Sequence, residues 1–185
     1  MSEWFETLPG QLNMVWARLS LAAKQADVVS LATVSVAGKP EVRSVVLRDA
    51  EPQTGVVEIY TDLQSDKIAS LRKTPRAEVL LWDATLKLQI RATCVATILT
   101  GDTLQARWDA MAPHSRLNYG SIPAPGQEIA DSTAYEKVPA QAVFAILSCR
   151  VDAIDAVHLG HPHRRASFAR SSSNNGDWDA NWLAP

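Results

Sequence analysis

Between residues 86 and 95, apolar and polar side chains change places at almost every step: Leu86, Leu88, Ile90, Ala92 and Cys94 alternate with Lys87, Gln89, Arg91, Thr93 and Val95. A period of two belongs to an extended strand with one face in a core and the other mostly in water, because a helix cannot gather that set on one side. A half-buried strand needs partners, and the chain supplies them in series. Residues 28–36 are rich in β-branched side chains, Ala37-Gly38-Lys39-Pro40 has turn chemistry, and 41–48 resumes the strand composition, which reads as a hairpin. Pro52 and Gly55 separate that pair from a third strand over 56–61. A helix of about two turns over 65–73 is stopped by Pro75, and a fourth strand follows over 77–82. Beyond the alternating segment come 142–157, then 165–170 and 178–183 around turn-forming residues 171–176.

Helices fall at the margins. Residues 9–26 set Leu12, Val15, Trp16, Leu19 and Ala22 at helical spacing, and 101–119 read as helical with Pro113 dividing them. Residues 121–139 hold Pro123, Pro125, Gly126 and Pro139 in a loop long enough to carry a functional or interfacial role. Strands do not alternate with long helices, so a doubly wound parallel sheet is disfavoured. The expectation is a mainly β domain spanning 1–185: a small antiparallel barrel of six to seven strands with peripheral helices. A chain of this length buries enough surface to fold without a metal or disulfide staple.

Charge narrows the function. Eighteen Lys and Arg against 20 Asp and Glu give −2, without the cation surplus of a nucleic-acid binder. With 46% hydrophobic and 21% charged residues the chain is a globule and not a disordered acidic tail. Cys94 and Cys149 stand alone in apolar runs and read as core residues. No stretch approaches the ~20 apolar residues of a membrane helix. Glu3, Glu6 and Pro9 lie where a secretory leader needs a basic start and an apolar run, so the expected location is the cytoplasm.

Candidate chemistry is sparse. There is no G-x-S-x-G nucleophile elbow and no G-x-G-x-x-G dinucleotide fingerprint. His158, His161 and His163 fall within six residues, but no second ligand cluster and no H-E-x-x-H accompany them; a histidine cluster at the surface or facing a phosphate is expected, without a metal. What remains is a set of cations. Arg43 shares one strand face with Val45 and Leu47, Arg48 ends the strand on the other face, and Arg91 shares a polar face with Gln89. Lys67, two residues after Ser65, falls in the first turn of the short helix, where free amides favour anions. Solvent-facing strand positions often carry Arg or Lys with no function. Twelve Arg against six Lys nevertheless suit bidentate recognition of carboxylate or phosphate.

The run Gly38-Lys39-Pro40-Glu41-Val42-Arg43-Ser44-Val45-Val46-Leu47-Arg48 resembles a G-x-P-x-x-R-x-V-x-L-(K/R) strand of the pyridoxamine 5′-phosphate oxidase family. Four further stretches keep that family's order: Tyr60-Thr61 with Ser65-Asp66-Lys67, Gln89, His163-Arg164-Arg165, and the final Leu183-Ala184-Pro185. The resemblance covers about residues 27–185 and implies a split β-barrel homodimer with FMN in clefts between subunits. It further implies that Arg43 and Lys67 hold the flavin phosphate, with Tyr60, Thr61 and Ser65 near that group and the ribityl chain. Backbone of Ser44, Val45, Val46 and Leu47, with Arg48 at the end of that run, and the Gln89 side chain then adjoin the cofactor, whose ring Arg165 meets from the far end of the chain. Such an arrangement puts cations at the phosphate end and hydrogen-bond donors at the ring.

The chain departs from the oxidase itself where substrate is bound. The family's strand ends in Lys where Arg48 stands, and an Arg-Lys pair stands where Asp66-Lys67 does. A Tyr, Arg and Ser spaced by four match Trp108, Ala112 and Arg116; an R-x-H becomes His161-Pro162-His163, the Trp before it is matched by Leu159, and the final R-L-x-P becomes Trp182-Leu183-Ala184-Pro185. The segment from Trp108 to Arg116 follows a W-x-x-x-x-P-x-S-R pattern of a related branch that lacks the oxidase's substrate signature. The resemblance therefore implies an FMN-dependent oxidoreductase for a small organic donor, with Arg48, Trp108, Arg116 and His163 as substrate candidates and no side chain as nucleophile. The alternatives are a flavin carrier or sensor without turnover and, ranked last, pyridoxamine 5′-phosphate oxidase itself.

Overall fold

In the computed structural model, which describes residues 3–171 and 177–185, the strand-forming runs all extend. They become β1 (Val28–Val34), β2 (Pro40–Glu51), β3 (Val56–Asp62), β4 (Arg76–Asp83), β5 (Leu88–Leu99), the two-residue pair β6 (Ser121–Ile122) and β7 (Glu136–Lys137), β8 (Phe144–His158), β9 (Arg164–Arg170) and β10 (Trp178–Leu183). Of the expected turn at 171–176, residues 172–176 lie outside the described residues. The helices are α1 (Leu8–Gln25), α2 (Asp66–Lys73), α3 (Gln105–Ala110) and α4 (Pro113–Arg116).

All pairings are antiparallel, and the order β10-β9-β8-β3-β2-β1-β4-β5 is closed by β8 pairing with β5. Six strands thus form a ring, which removes their edges. The barrel therefore has six strands, within the expected six to seven, and β9 and β10 attach outside the ring to extend the sheet to eight among the described residues. The 15 residues of β8 make this possible: one edge runs along β5 from Ile146 to His158, while the other gives 144–150 to β3 and 153–158 to β9.

The period-two reading of β5 holds in three dimensions, with Leu88, Ile90, Ala92, Cys94 and Ala96 buried. The core runs on through Leu31, Leu47, Val57, Ile59, Leu147 and Ile154, and both cysteines lie within it. Helix α1 closes one end with Val15, Trp16, Leu19 and Ala22. Its start is capped by the Thr7 hydroxyl on Gly10 N at 3.1 Å, and Ala26 in the left-handed region ends it. A second cluster, Leu104, Trp108, Tyr119, Phe144 and Ile146, holds α3 against the mouth of β8. No helix among the described residues is long and apolar enough to cross a membrane.

The fold creates its opening at β2. This strand continues to Glu51 instead of ending at Arg48, because the register with β3 slips between Leu47 and Asp49 and leaves Arg48 as the extra residue. Such a bulge bends the strand and increases its twist. From Val46 toward its start, β2 pairs only with β1, while β3 beyond Ile59 pairs only with β8. The two strands therefore part, and residues 43–46 present a free backbone edge to Tyr60, Thr61 and Asp62.

Candidate functional site

That parting is a cavity of about 400 Å³. Its walls include Arg43, Ser44, Val45, Val46 and Arg48 from β2, Tyr60 and Thr61 from β3, and Ser65 and Lys67 from the start of α2. Nine of the twelve residues expected at a cofactor are thus brought together. Leu47, the tenth, is fully buried in the barrel and does not line the cavity.

Two cations converge here. Arg43 donates from Nη1 to Thr33 Oγ1 at 2.6 Å and Leu31 O at 3.3 Å, and from Nη2 to Glu41 Oε2 at 2.8 Å. Lys67 Nζ donates to Ser65 Oγ at 2.9 Å and Thr61 Oγ1 at 3.0 Å. Burial, and then the charge of Arg43, hold the Lys67 ammonium below its usual pKa. Ser65 occupies the N-cap of α2, but its hydroxyl donates to Asp62 O at 2.7 Å and does not cap the helix. The leading amides of α2 are left without a side-chain acceptor, a ready anion site. A second opening of about 410 Å³ continues past Arg43, Ser65 and Lys67 to Glu41 and Asp66.

The loop at 121–139 covers this end. Pro125 lines both openings, and Gly126 lies so near Asp66 that a Cβ there would stand 3.0 Å from Oδ2. The loop is tied at its root, where Gly120 N donates to the buried Asp62 carboxylate at 2.8 Å.

On the other side of Arg48 and Tyr60 lies a cavity of about 500 Å³, walled by α3 and α4. Arg48 packs over the Tyr60 ring at 5.8 Å, and its buried Nε has no hydrogen-bond partner. Burial raises the Tyr119 hydroxyl pKa, opposed by the nearby Arg48 charge. Arg107, which the sequence did not single out, is paired with the buried carboxylate of Glu58 and donates to Tyr60 Oη at 3.4 Å. Trp108 is a core residue between Tyr119 and Phe144. Arg116 does not line the cavity: it donates to Asp109 O at 2.8 Å and Met111 O at 3.2 Å and stacks 5.6 Å from the Trp108 ring, bracing the turn between α3 and α4.

Gln89 and Arg165 lie elsewhere. Both flank Val157 in register, on β5 and β9, and neither lines these cavities. Arg165 is held by Asp155 through Nε at 3.1 Å and Nη2 at 2.7 Å, and Asp155 also receives Arg91 at 3.0 Å. The expected histidine cluster does not form as a unit. His161 and His163 stack at the surface, whereas His158 ends β8 and is buried between Trp4 and Phe5, because strand alternation turns it inward before the chain leaves the sheet. Among the described residues, no group of three or more His, Cys, Asp or Glu side chains is placed to hold a metal.

A six-stranded split barrel with a cation-lined cleft at the split is the architecture of flavin-binding split-barrel proteins. The family model of the pyridoxamine 5′-phosphate oxidase FMN-binding domain matches residues 2–100, more than half of the chain, and the chain belongs to that family. It is 31% identical over 126 residues to pyridoxine/pyridoxamine 5′-phosphate oxidase 2 of Arabidopsis thaliana, a match covering 60% of this chain and 63% of that protein. With the pyridoxine/pyridoxamine 5′-phosphate oxidase of Deinococcus deserti it shares 36% over 111 residues, 59% of this chain and 51% of the relative. The chain thus spans less than two thirds of either relative. Among solved structures, a pyridoxamine 5′-phosphate oxidase-related FMN-binding protein from Nostoc punctiforme superposes with a TM-score of 0.75 at 24% identity, over 98% of this chain and all of that one. PhzG from Burkholderia lata, solved with tetrahydrophenazine-1-carboxylic acid, gives 0.75 at 18% identity, over 100% and 97%. At such identities these structures establish the fold.

Proposed function

We propose that this chain binds FMN in the cleft between β2 and β3 and is an FMN-dependent oxidoreductase acting on a small organic donor. The observation that carries this reading is the convergence of Arg43 and Lys67 on one cavity, where burial first and then the Arg43 charge lower the pKa of Lys67. A dianionic phosphate between them offsets that lowering, and the Thr61 and Ser65 hydroxyls and the open amides of α2 complete its shell. The free edge of β2 over 43–46 supplies backbone donors and acceptors to the polar rim of a flavin ring. Tyr60 and the loop residue Pro125 exclude water from the two sides. Held there, FMN would supply a two-electron acceptor for a hydride from the donor. No side chain need act as nucleophile.

The working unit is proposed to be a homodimer, in which Gln89 and Arg165 of one copy complete the cleft of the other. Titration of the flavin-free protein with FMN and with riboflavin, followed by flavin fluorescence, tests the reading. FMN is expected to bind at least ~100-fold tighter, since riboflavin forgoes two charge-assisted contacts of about 1.5–3 kcal/mol each. Equal affinities would remove the phosphate site. Anaerobic bleaching of the yellow protein by one member of a donor panel supports turnover, and no bleaching by any member supports the carrier. Sedimentation of the FMN-loaded protein as a monomer would overturn the shared cleft.

A further inference from the structure

We infer that the 500 Å³ cavity between Arg48 and helices α3 and α4 is a subsite for a singly charged organic carboxylate with a compact apolar body, recognised by Arg48; this rests on the flavin reading above, which puts the cofactor in the adjoining cleft. Arg48 stands in the wall shared by the two cavities. Its guanidinium meets the Tyr119 hydroxyl, no ion pair with a carboxylate is found for it among the described residues, and its Nε is buried without a partner. A buried donor left open in this way costs free energy unless a ligand meets it.

The charge of the cavity selects among anions. Arg107 is the other cation in its wall, and it is neutralised by the buried Glu58 and turned to Tyr60 Oη. One positive charge therefore remains for a ligand. A carboxylate carries one negative charge and two oxygens matched to the planar fork of a guanidinium. A phosphate monoester is close to a dianion at neutral pH and asks for a second cation. Arg116, the nearest candidate, is spent on Asp109 O and Met111 O. Of the rest of the wall, Thr103 and Ser115 are polar but uncharged, whereas Ala106, Ala110, Met111 and Ala112 are apolar and take the organic body, and the volume lies in the range of small-molecule sites.

The test uses FMN-loaded protein and three probes, benzoate, benzamide and phenyl phosphate, titrated while the visible flavin spectrum is recorded. Benzoate is expected to perturb the spectrum saturably and to bind at least ~10-fold tighter than benzamide, and tighter than phenyl phosphate. In Arg48→Gln the preference for benzoate over benzamide is expected to collapse to about onefold, a ratio independent of how tightly the variant holds flavin. Ala106→Trp changes an exposed residue on α3 and fills the cavity, and it is expected to weaken benzoate at least ~10-fold. Equal binding of benzoate and benzamide, tighter binding of phenyl phosphate, a preference that survives Arg48→Gln, or benzoate binding untouched by Ala106→Trp would each overturn the subsite. A protein that takes up no flavin overturns the reading beneath it before any probe is added, whereas a yellow protein without discrimination overturns the carboxylate subsite alone.

Discussion

Glu41 competes with any anion for Arg43, so Glu41→Gln should tighten FMN while Arg43→Ala loosens it. Of the five N–H donors of Arg43, two go to Thr33 and Leu31 and one to Glu41, leaving two for a ligand unless Glu41 withdraws. The Glu41 side chain is 40% exposed and that of Arg43 24%, so their bond belongs on the scale of partly exposed ion pairs, about 0.2–1 kcal/mol. Glu41→Gln returns about that much to the phosphate, about 1.4- to 5-fold in affinity. Arg43→Ala removes a charge-assisted contact of about 1.5–3 kcal/mol. The ion pair given up on binding reduces this to a net loss of about 0.5–2.8 kcal/mol, or about 2- to 100-fold. The two substitutions should not add: once Arg43 is gone, Glu41→Gln has only a long-range charge effect left. Fluorescence titration of FMN into wild type, both single variants and the double variant at one fixed ionic strength measures all four corners. Weaker binding by Glu41→Gln, or an Arg43→Ala protein with unchanged affinity, would refute the placement of the phosphate.

Three further outcomes follow from the same coordinates. Phe144 is fully buried with ring neighbours Tyr60, Trp108 and Tyr119 at 5.1–5.6 Å, so Phe144→Ala should lose about 3–5 kcal/mol in urea unfolding, and a loss below about 1.5 would mean that α3 is not held by this cluster. Gly120 has φ +106 and its missing Cβ points at the Val138 carbonyl; Gly120→Ala should cost about 1–3 kcal/mol and speed proteolysis within 121–139, and unchanged protection there would sever the loop from its root. Burial, then the charges of Arg164, Lys87 and His163, hold the His158 pKa below its ordinary 6.5. The unfolded chain therefore takes up the proton first, and stability should begin to fall as pH drops through about 6.5 and stop falling below the folded value. His158→Gln should lose less stability than wild type between about pH 7 and 5 by urea unfolding, and identical profiles would acquit His158.

Much of the barrel was legible because strand periodicity is a local signal. Residues 86–95 announce their buried face, and Pro40, Pro75 and Gly55 mark turns that the structure keeps. Arg43 and Lys67 were legible as cations on a strand and in a first helical turn. Glu41 could have been read with them, since it lies two residues before Arg43 and shares its strand face. The rest depends on contacts between distant residues. Arg107 meets Glu58 across 49 positions, and nothing local in either segment points to the other. The bulge at Arg48 exists only relative to β3, so a strand reading stopped there and missed three residues. Three histidines within six residues looked like one cluster, but the end of β8 sorts them into a buried ring and two exposed ones.

The separation of Gln89 and Arg165 from the cleft is itself informative. Residues directly opposite in antiparallel strands share a face, so Ser44, Ser30, Leu80, Arg91, Asp155 and Ser167 form one row along the outer wall of the sheet. Trp82, Gln89, Val157 and Arg165 form the next. From β2 to β9 along these rows is five strand spacings, about 24 Å around the wall. Neither Gln89 nor Arg165 lines the cavity at β2, so the cleft of one chain is built without them. The wall between them is not built for water: Val28, Val42, Leu80 and Trp82 are exposed on it, Val28 and Val42 by 65% and 71%. In the proposed homodimer, a two-fold axis through this wall would cover the apolar side chains and bring Gln89 and Arg165 of each copy to the cleft of the other. In that dimer the ion pairs of Asp155 with Arg91 and Arg165 would hold the arginine in place before its partner arrives.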